Sequence, residues 1–526
     1  MKRNKIKICV IGAGPNGLTS VIPFLNNLEK FEVTMISSGS SLFTDDIIKM
    51  QNYLKSLNRD QQHKFWEEKK FSTKQLIPKK LFFGKSDVYK NIENDLDVSK
   101  KIEFDVSHSL GGLSNVWGAN VTGLSNNDLN IYPSAYKLSE IMNKISSIFP
   151  ISGYSDDIDY KSPYNFKYNK NSLKYCSQAN KIMEYYNKYK YAFKNNFRLG
   201  YSKLAIETDK IDQDPKNANS GLEMYGCFNN SIFNSFSYID QIKDKINLIE
   251  NTLINKVDED ERGVRVYGNS TKNNSKIELY FDKVIIAAGS INTSKLALKL
   301  LSPHGKKTLT IKDSQKYFFL YFTLFSSKKD EEKNTIGLSQ VFLQTEINQK
   351  TFHLQLYHSV LLLRDTINNF FPKSFAKFLI KNFNFILKRI MIGVVYFPEE
   401  ISNHMEISYN KEKNSFFIKP QKNKNFSTKY IIKIFFKLIK FVNKLKSFPL
   451  PIFVKSKIGV SQHFGSSLPP SKNEIIGKTS DEGILYPYKN IYISDCSSLD
   501  RIPSTPPTFL SMSNSYRIAE IIVKKS

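Results

Sequence analysis

The sequence predicts an α/β protein, α+β when the whole chain is counted, and three stretches carry that prediction. In Lys7–Leu18 a β-branched apolar run breaks into Gly12-Ala13-Gly14 and passes into a helix-compatible segment. In Lys283–Ser290 a second apolar strand ends in Ala288-Gly289 and leads to a helix starting near Asn292. In Asn490–Ser498 a third strand ends at the acid Asp495, and Ile502–Phe509 then opens a helix that runs to about Val523. Strand, small-residue turn and helix in repeated succession are the units of a sheet covered by helices.

The first stretch has the spacing of a dinucleotide-binding strand–turn–helix. Gly12 permits the tight turn, Gly14 lets a pyrophosphate approach the backbone, and Gly17 lets helix pack close to strand. Asn16 lies in the first helical turn, where unpaired N–H groups and the helix dipole favour phosphate. Glu32–Ile36 supplies the second strand of the βαβ unit. That strand should end in an acid for the ribose hydroxyls. Ser37 stands there instead, followed by Ser38 and Gly39, so one neutral hydrogen bond replaces a charged bidentate one. No arginine follows, and a 2′-phosphorylated dinucleotide is not favoured.

With 526 residues the chain has room for two or three domains. Charged residues at 24% and hydrophobic ones at 40% are ordinary for a globular protein, but the net charge of +27 is not. A lysine-rich solvated surface, an anionic membrane and an acidic substrate are the readings of that charge. No nucleic-acid-binding motif accompanies it, and no nucleic-acid partner is expected. Cys9, Cys176, Cys227 and Cys496 lie far apart, which argues against zinc, iron–sulfur and disulfide frameworks, and no metal site is expected. There is no signal-peptide h-region ahead of the first strand and no run of roughly 18 apolar residues. The expectation is a cytoplasmic protein.

Taken in order, residues 40–100 are lysine-rich, polar and without an assignable role. Ser107–Ala119 then contains Gly111-Gly112-Leu113-Ser114-Asn115 and Trp117, a small-residue loop able to approach a flat ligand. Residues 131–240 read as an irregular insertion. A β-rich piece follows, with strands at Ile246–Glu250, Thr252–Val257 (containing Ile254) and Gly263–Tyr267. Residues 311–454 are aromatic-rich and hold two acid-free basic amphipathic helices, over 373–391 and 429–446. Each is read either as an ordinary surface helix or as an interfacial one, with lysines toward headgroups and Phe, Ile and Leu toward acyl chains. Ile458–Pro469 places His463 in a small-residue loop.

Together the Gly12–Gly17 fingerprint, the Gly111–Asn115 loop, the Ala288–Thr293 turn, the His463 loop and Asp495–Thr508 resemble, in order, the glucose–methanol–choline family of oxidoreductases. The Gly-Gly-Leu-Ser-Asn-Val-Trp-Gly variant looks most like a bacterial branch associated with sugar or surface-polysaccharide metabolism. The resemblance implies a Rossmann-like FAD-binding domain built from 1–130, 241–310 and 455–526. A substrate or cap domain, with a β-sheet and covering helices, would come from 131–240 and 311–454. It implies FAD held by Gly12, Gly14, Asn16, Gly17, Ser37, Gly111, Gly112, Ser114, Asn115, Ile254, Ala288, Gly289, Asp495, Pro507 and Thr508. It also implies that His463 is the general base while hydride passes to flavin N5, with the helix after Thr508 directed at the N1–C2=O edge. Three departures stand out: Ser37, Pro506 where the family places a histidine or asparagine, and Ser466-Ser467 where it places glycine and threonine.

The resemblance therefore implies an FAD-dependent alcohol or sugar dehydrogenase or oxidase, acting on a CH–OH donor with an electron acceptor the sequence does not specify. The alternatives are a flavin-dependent sugar isomerase or mutase, and a catalytically degenerate flavin-binding protein attached to a membrane. Peripheral contact through 373–391 and 429–446 would put the protein on the inner membrane surface.

Overall fold

The computed structural model describes residues 5–68, 79–92, 94–122, 138–153, 173–194, 196–208, 221–328, 331–358, 364, 367–368 and 371–526. Parts of the expected 131–240 insertion thus lie outside the described residues. Five helices matter below: α1 (Pro15–Leu25), α2 (Ser290–Leu301), α3 (Lys373–Leu387), α4 (Lys429–Ile439) and α5 (Thr508–Lys525).

A five-stranded parallel sheet holds the chain together, in the order Ile491–Ile493, Lys283–Ile286, Ile6–Ile11, Phe31–Ile36, Asn247–Ile249. The central strand is apolar on both faces because both are covered. Ile8 and Val10 pack with Leu18, Val21 and Phe24 of α1 and with Leu510 and Ile518 of α5. Cys9 and Ile11 face the other way, toward Ile291 and Leu298 of α2. A three-stranded antiparallel sheet (Thr252–Asp260, Gly263–Ser270, Lys276–Phe281) lies between Asn247–Ile249 and Lys283–Ile286 in the chain.

A second, antiparallel sheet of six strands runs Ser447–Lys455, Lys316–Thr323, Ile390–Tyr396, Lys350–His358, Ser339–Ile347, Phe197–Tyr201. α4 contributes Ile431, Ile434 and Leu438 to the core with this sheet. A third sheet joins Phe464–Gly465, Thr308–Asp313, His404–Asn410, Ser415–Gln421 and Leu96–Val98. It draws strands from segments expected in both domains, and the expected boundary at 310 falls within one of them.

Several expectations are corrected in detail. The strand near Ile246–Glu250 belongs to the edge of the parallel sheet, not to the β-rich piece, because its backbone pairs with Thr34–Ile36. The helix expected over 373–391 stops at Leu387, and Ile390 and Met391 already belong to a buried strand. The helix expected over 429–446 is two, since Lys429–Ile439 is followed by a separate turn, Val442–Leu445. Among the described residues, no helix is long and apolar enough to cross a membrane.

Candidate cofactor cleft and active site

At Gly12 the chain leaves the central strand with φ +111°, a conformation open to glycine and strained for side chains. A Cβ on Gly12 would overlap the carbonyl of Ala287, and one on Gly17 would overlap the carbonyl of Gly12. Both glycines therefore serve close backbone packing. Gly14 differs: a Cβ there meets no protein atom within 4 Å. The same holds at Gly289, where φ is +82°. These two, with Gly12, Asn16, Ser37, Gly112, Ser114, Ile254, Ala288, Asp495 and Thr508, line one cleft of ≈ 1050 Å³. The N-terminal ends of α1, α2 and α5 open on it through Gly14, Gly289 and Thr508. Three helix N-termini on one cleft create a strong preference for negative charge.

The remaining residues expected at the cofactor support the wall from behind. Gly111 donates its N–H to Ala13 (3.1 Å), tying the Gly111–Asn115 loop to the first glycine turn. Asn115 Nδ2 donates to Ser109 Oγ and to the carbonyls of Leu110 and Gly112, closing its own loop, while its buried Oδ1 has no partner among the described residues. Gly17 and Pro507 do not line the cleft. Pro507 precedes α5 and accepts the Ser511 N–H at 2.9 Å. Asn16 Oδ1 accepts from Ser511 Oγ at 3.0 Å, locking α1 to α5.

Asp495 organises the far wall. Its Oδ2 accepts from Gly289 N–H (2.8 Å) and Thr293 Oγ1 (2.5 Å), and its Oδ1 accepts from Ser497 N–H (2.8 Å). Burial raises its carboxyl above the usual range, and these donors oppose the rise. The acid thus joins the end of the third strand to the start of α2. Ser37, which stands where the ribose acid is expected, is buried, with its backbone hydrogen-bonded to Ile249 and Thr252.

His463 sits between Gln462 and Phe464, both of which line the cleft. Gln462 and Ser466 hold left-handed backbone, φ +59° and +49°, unusual for residues with side chains. Ser466 thus occupies the conformation that suits the glycine expected there. The His463 ring stacks on Tyr396 with centroids 4.3 Å apart and planes at 16°. Its Nδ1 is buried without a hydrogen-bond partner among the described residues. Burial, the Lys316 charge and His353 together hold the imidazole well below its ordinary pKa, so it is neutral at pH 7. Burial also pushes Lys316 down to about 8 and Asp313 up to about 6.

Sequence reasoning missed the polar side chains behind this histidine. His353, Gln355 and Tyr357 alternate along one strand, and His353 pairs across the ladder with Tyr396. Gln355 Oε1 accepts from Tyr357 OH (2.5 Å) and Asn120 Nδ2 (3.3 Å). His353 Nδ1 and Asn120 Oδ1 are buried without hydrogen-bond partners among the described residues. The signal was present in Thr351–Tyr357, where polar and apolar residues alternate. Alternation ordinarily marks a solvent-facing strand, but here the polar side is buried as well.

No protein-family model and no curated protein sequence matches this chain. Solved structures do. A formate oxidase of Aspergillus oryzae RIB40, in a mutant studied for FAD modification, superposes with a TM-score of 0.61 at 14% identity, covering 100% of this chain and 99% of that one. A second formate oxidase structure gives 0.60 at 14% identity over the same shares. A pyridoxine 4-oxidase from Mesorbium loti gives 0.59 at 9% identity, covering 99% of both chains. End-to-end coverage at such low identity bears out the architecture that the motifs implied: this chain has the fold of these oxidases.

Proposed function

We propose that the protein is an FAD-dependent oxidoreductase of the glucose–methanol–choline type, oxidising a CH–OH group of an alcohol or sugar. The observation that carries the reading is the convergence of Gly14, Gly289 and Thr508, from three distant stretches, on one cleft beside His463. The residues fit the cofactor, because Gly14 and Gly289 leave free the space that side chains would fill. FAD would supply the acceptor for the substrate hydride. The fold is shared with oxidases, one of them studied for FAD modification.

In this reading the N–H groups at the start of α1 would hold the pyrophosphate of FAD, and the positive end of α5 would favour negative charge on the flavin. His463 receives the hydroxyl proton on its imidazole, which must be neutral to do so. Stacking on Tyr396 fixes the ring plane. Pro506 offers no side-chain hydrogen bond, so the proton transfer rests on one histidine.

Anaerobic reduction of the purified holoprotein by a panel of alcohols and sugars tests this. We expect bleaching of the flavin band by at least one, and His463→Asn to slow it by about 10²–10⁴-fold with flavin content unchanged. A protein that neither carries nor takes up FAD overturns the assignment. An unchanged rate in the variant overturns the role of His463 alone.

A further inference from the structure

α3 is an unusual helix for a protein in water. Of its 15 residues, only Ala376 and Leu387 are buried. Phe375, Phe378 and Phe385 form an exposed stripe, the last two at 54% and 65%, and Phe371, in the bend before the helix, packs edge-on against Phe375. At 3.6 residues per turn, that stripe lies roughly half a turn from Ala376 and Leu387, facing away from the protein. Lys373, Lys377 and Lys381 run along one flank. α4 repeats the arrangement: Ile431, Ile434 and Leu438 face the core, while Ile432 and Phe436 (63% exposed) point outward among Lys429, Lys433 and Lys440. The two elements meet at one loop. Ser327 N–H donates to the Lys388 carbonyl after α3, and Leu324 N–H donates to the Lys446 carbonyl after the turn that follows α4. Leu324 itself is exposed there.

We propose that this face seats the protein on an anionic phospholipid bilayer, with the Phe stripe of α3 in the acyl boundary and the lysines at headgroup level. Charge selects the occupant. No Asp or Glu occurs between Asp365 and Glu399, or between Glu412 and Glu474, so both helices carry lysines and no acid of their own, while Glu346 of a neighbouring strand lies beside Lys437. The chain carries +27 overall, which sets a second copy against like charge. A helix with large outward aromatics, flanking lysines and only two fully buried side chains has the make-up of an interfacial helix. Lysine stems are long enough to keep the ammonium in water while the aromatic side is immersed. Polybasic surface and anionic leaflet attract one another within a Debye length, so the contact is salt-sensitive. This inference does not depend on the proposed reaction.

Flotation of the full chain with phosphatidylcholine vesicles, with and without phosphatidylglycerol, tests it. Wild type should float only with the anionic vesicles at low salt and be released at high salt. Combined Phe375→Ser, Phe378→Ser and Phe385→Ser should reduce binding at least tenfold with circular dichroism unchanged. Combined Lys373→Glu, Lys377→Glu and Lys381→Glu should do the same. In Phe378→Trp, indole emission should be quenched by brominated anionic lipid. Absence of binding at low salt overturns the proposal. So does binding that survives the Phe substitutions, which would mean adsorption by charge alone. Light scattering supplies the remaining arm: a dimer that dissociates in the Phe variants, without lipid binding, assigns the face to self-association instead.

Discussion

An added Cβ at Gly12 would overlap the Ala287 carbonyl, whereas one at Gly14 meets no protein atom within 4 Å. The two glycines of one turn therefore answer to different constraints. Gly12→Ala forces a side chain onto φ +111° and against backbone that cannot yield, at a cost of about 1–3 kcal/mol. It should lower the melting temperature of the cofactor-free protein. Gly14→Ala should leave that temperature within an equivalent of about 0.5 kcal/mol, yet reduce the flavin-to-protein absorbance ratio. Equal melting temperatures for the two variants would refute the distinction. At the same scale, Ser466 and Ser467 stand where the motif has glycine and threonine. Ser466 keeps the left-handed turn and Ser467 Oγ bonds Ser294 Oγ at 2.8 Å.

Among the elements, the six-stranded sheet shows how one small residue fixes packing. Gly393 lies opposite Phe319 in the antiparallel ladder. The Phe319 ring occupies the space where a Gly393 side chain would stand. Gly393→Ala should therefore overpack the sheet and cost about 1–3 kcal/mol in urea unfolding. Phe319→Leu in the same chain should recover part of that loss, giving a coupling of about 0.5–3 kcal/mol. Additive losses would show that the two positions do not share the space. The same scale explains α3 and α4. Their lysine and apolar spacing was legible in the sequence, but periodicity does not say which apolar residues meet the protein. In α3 only Ala376 and Leu387 are fully buried, while Phe375, Phe378, Phe383 and Phe385 are exposed.

Across the whole molecule, buried neutral histidines set the acid sensitivity. Burial pushes His353 down to about 3 and His404 down to about 4, and holds His463 well below its ordinary value. In the unfolded chain a histidine takes up its proton below about 6.5. The folded protein does not, so stability is present above that pH and is lost as pH falls toward the folded values. Asp313, pushed up to about 6, acts oppositely, since the folded state holds its proton between about pH 6 and 4. His353 contributes a slope of up to about 1.4 kcal/mol per pH unit. His353→Gln should remove that slope from unfolding free energies measured between pH 6 and 4. An unchanged slope would mean that His353 is not held neutral in the fold.

The strand–glycine–helix units were legible from the chain alone, because a tight turn beside a buried strand demands glycine and leaves that signature in the sequence. So was the order of the motifs, several of which lie in small-residue loops that composition sets apart. Tertiary structure decided the rest. It brought Gly14, Gly289 and Thr508 onto one cleft, and it turned Asp495 inward to hold Gly289 and Thr293. It also buried both sides of the Thr351–Tyr357 strand, hiding polar groups that alternation assigns to solvent. Pairing of strands hundreds of residues apart has no local signature. Which face of a helix or strand is covered depends on what the rest of the chain brings against it.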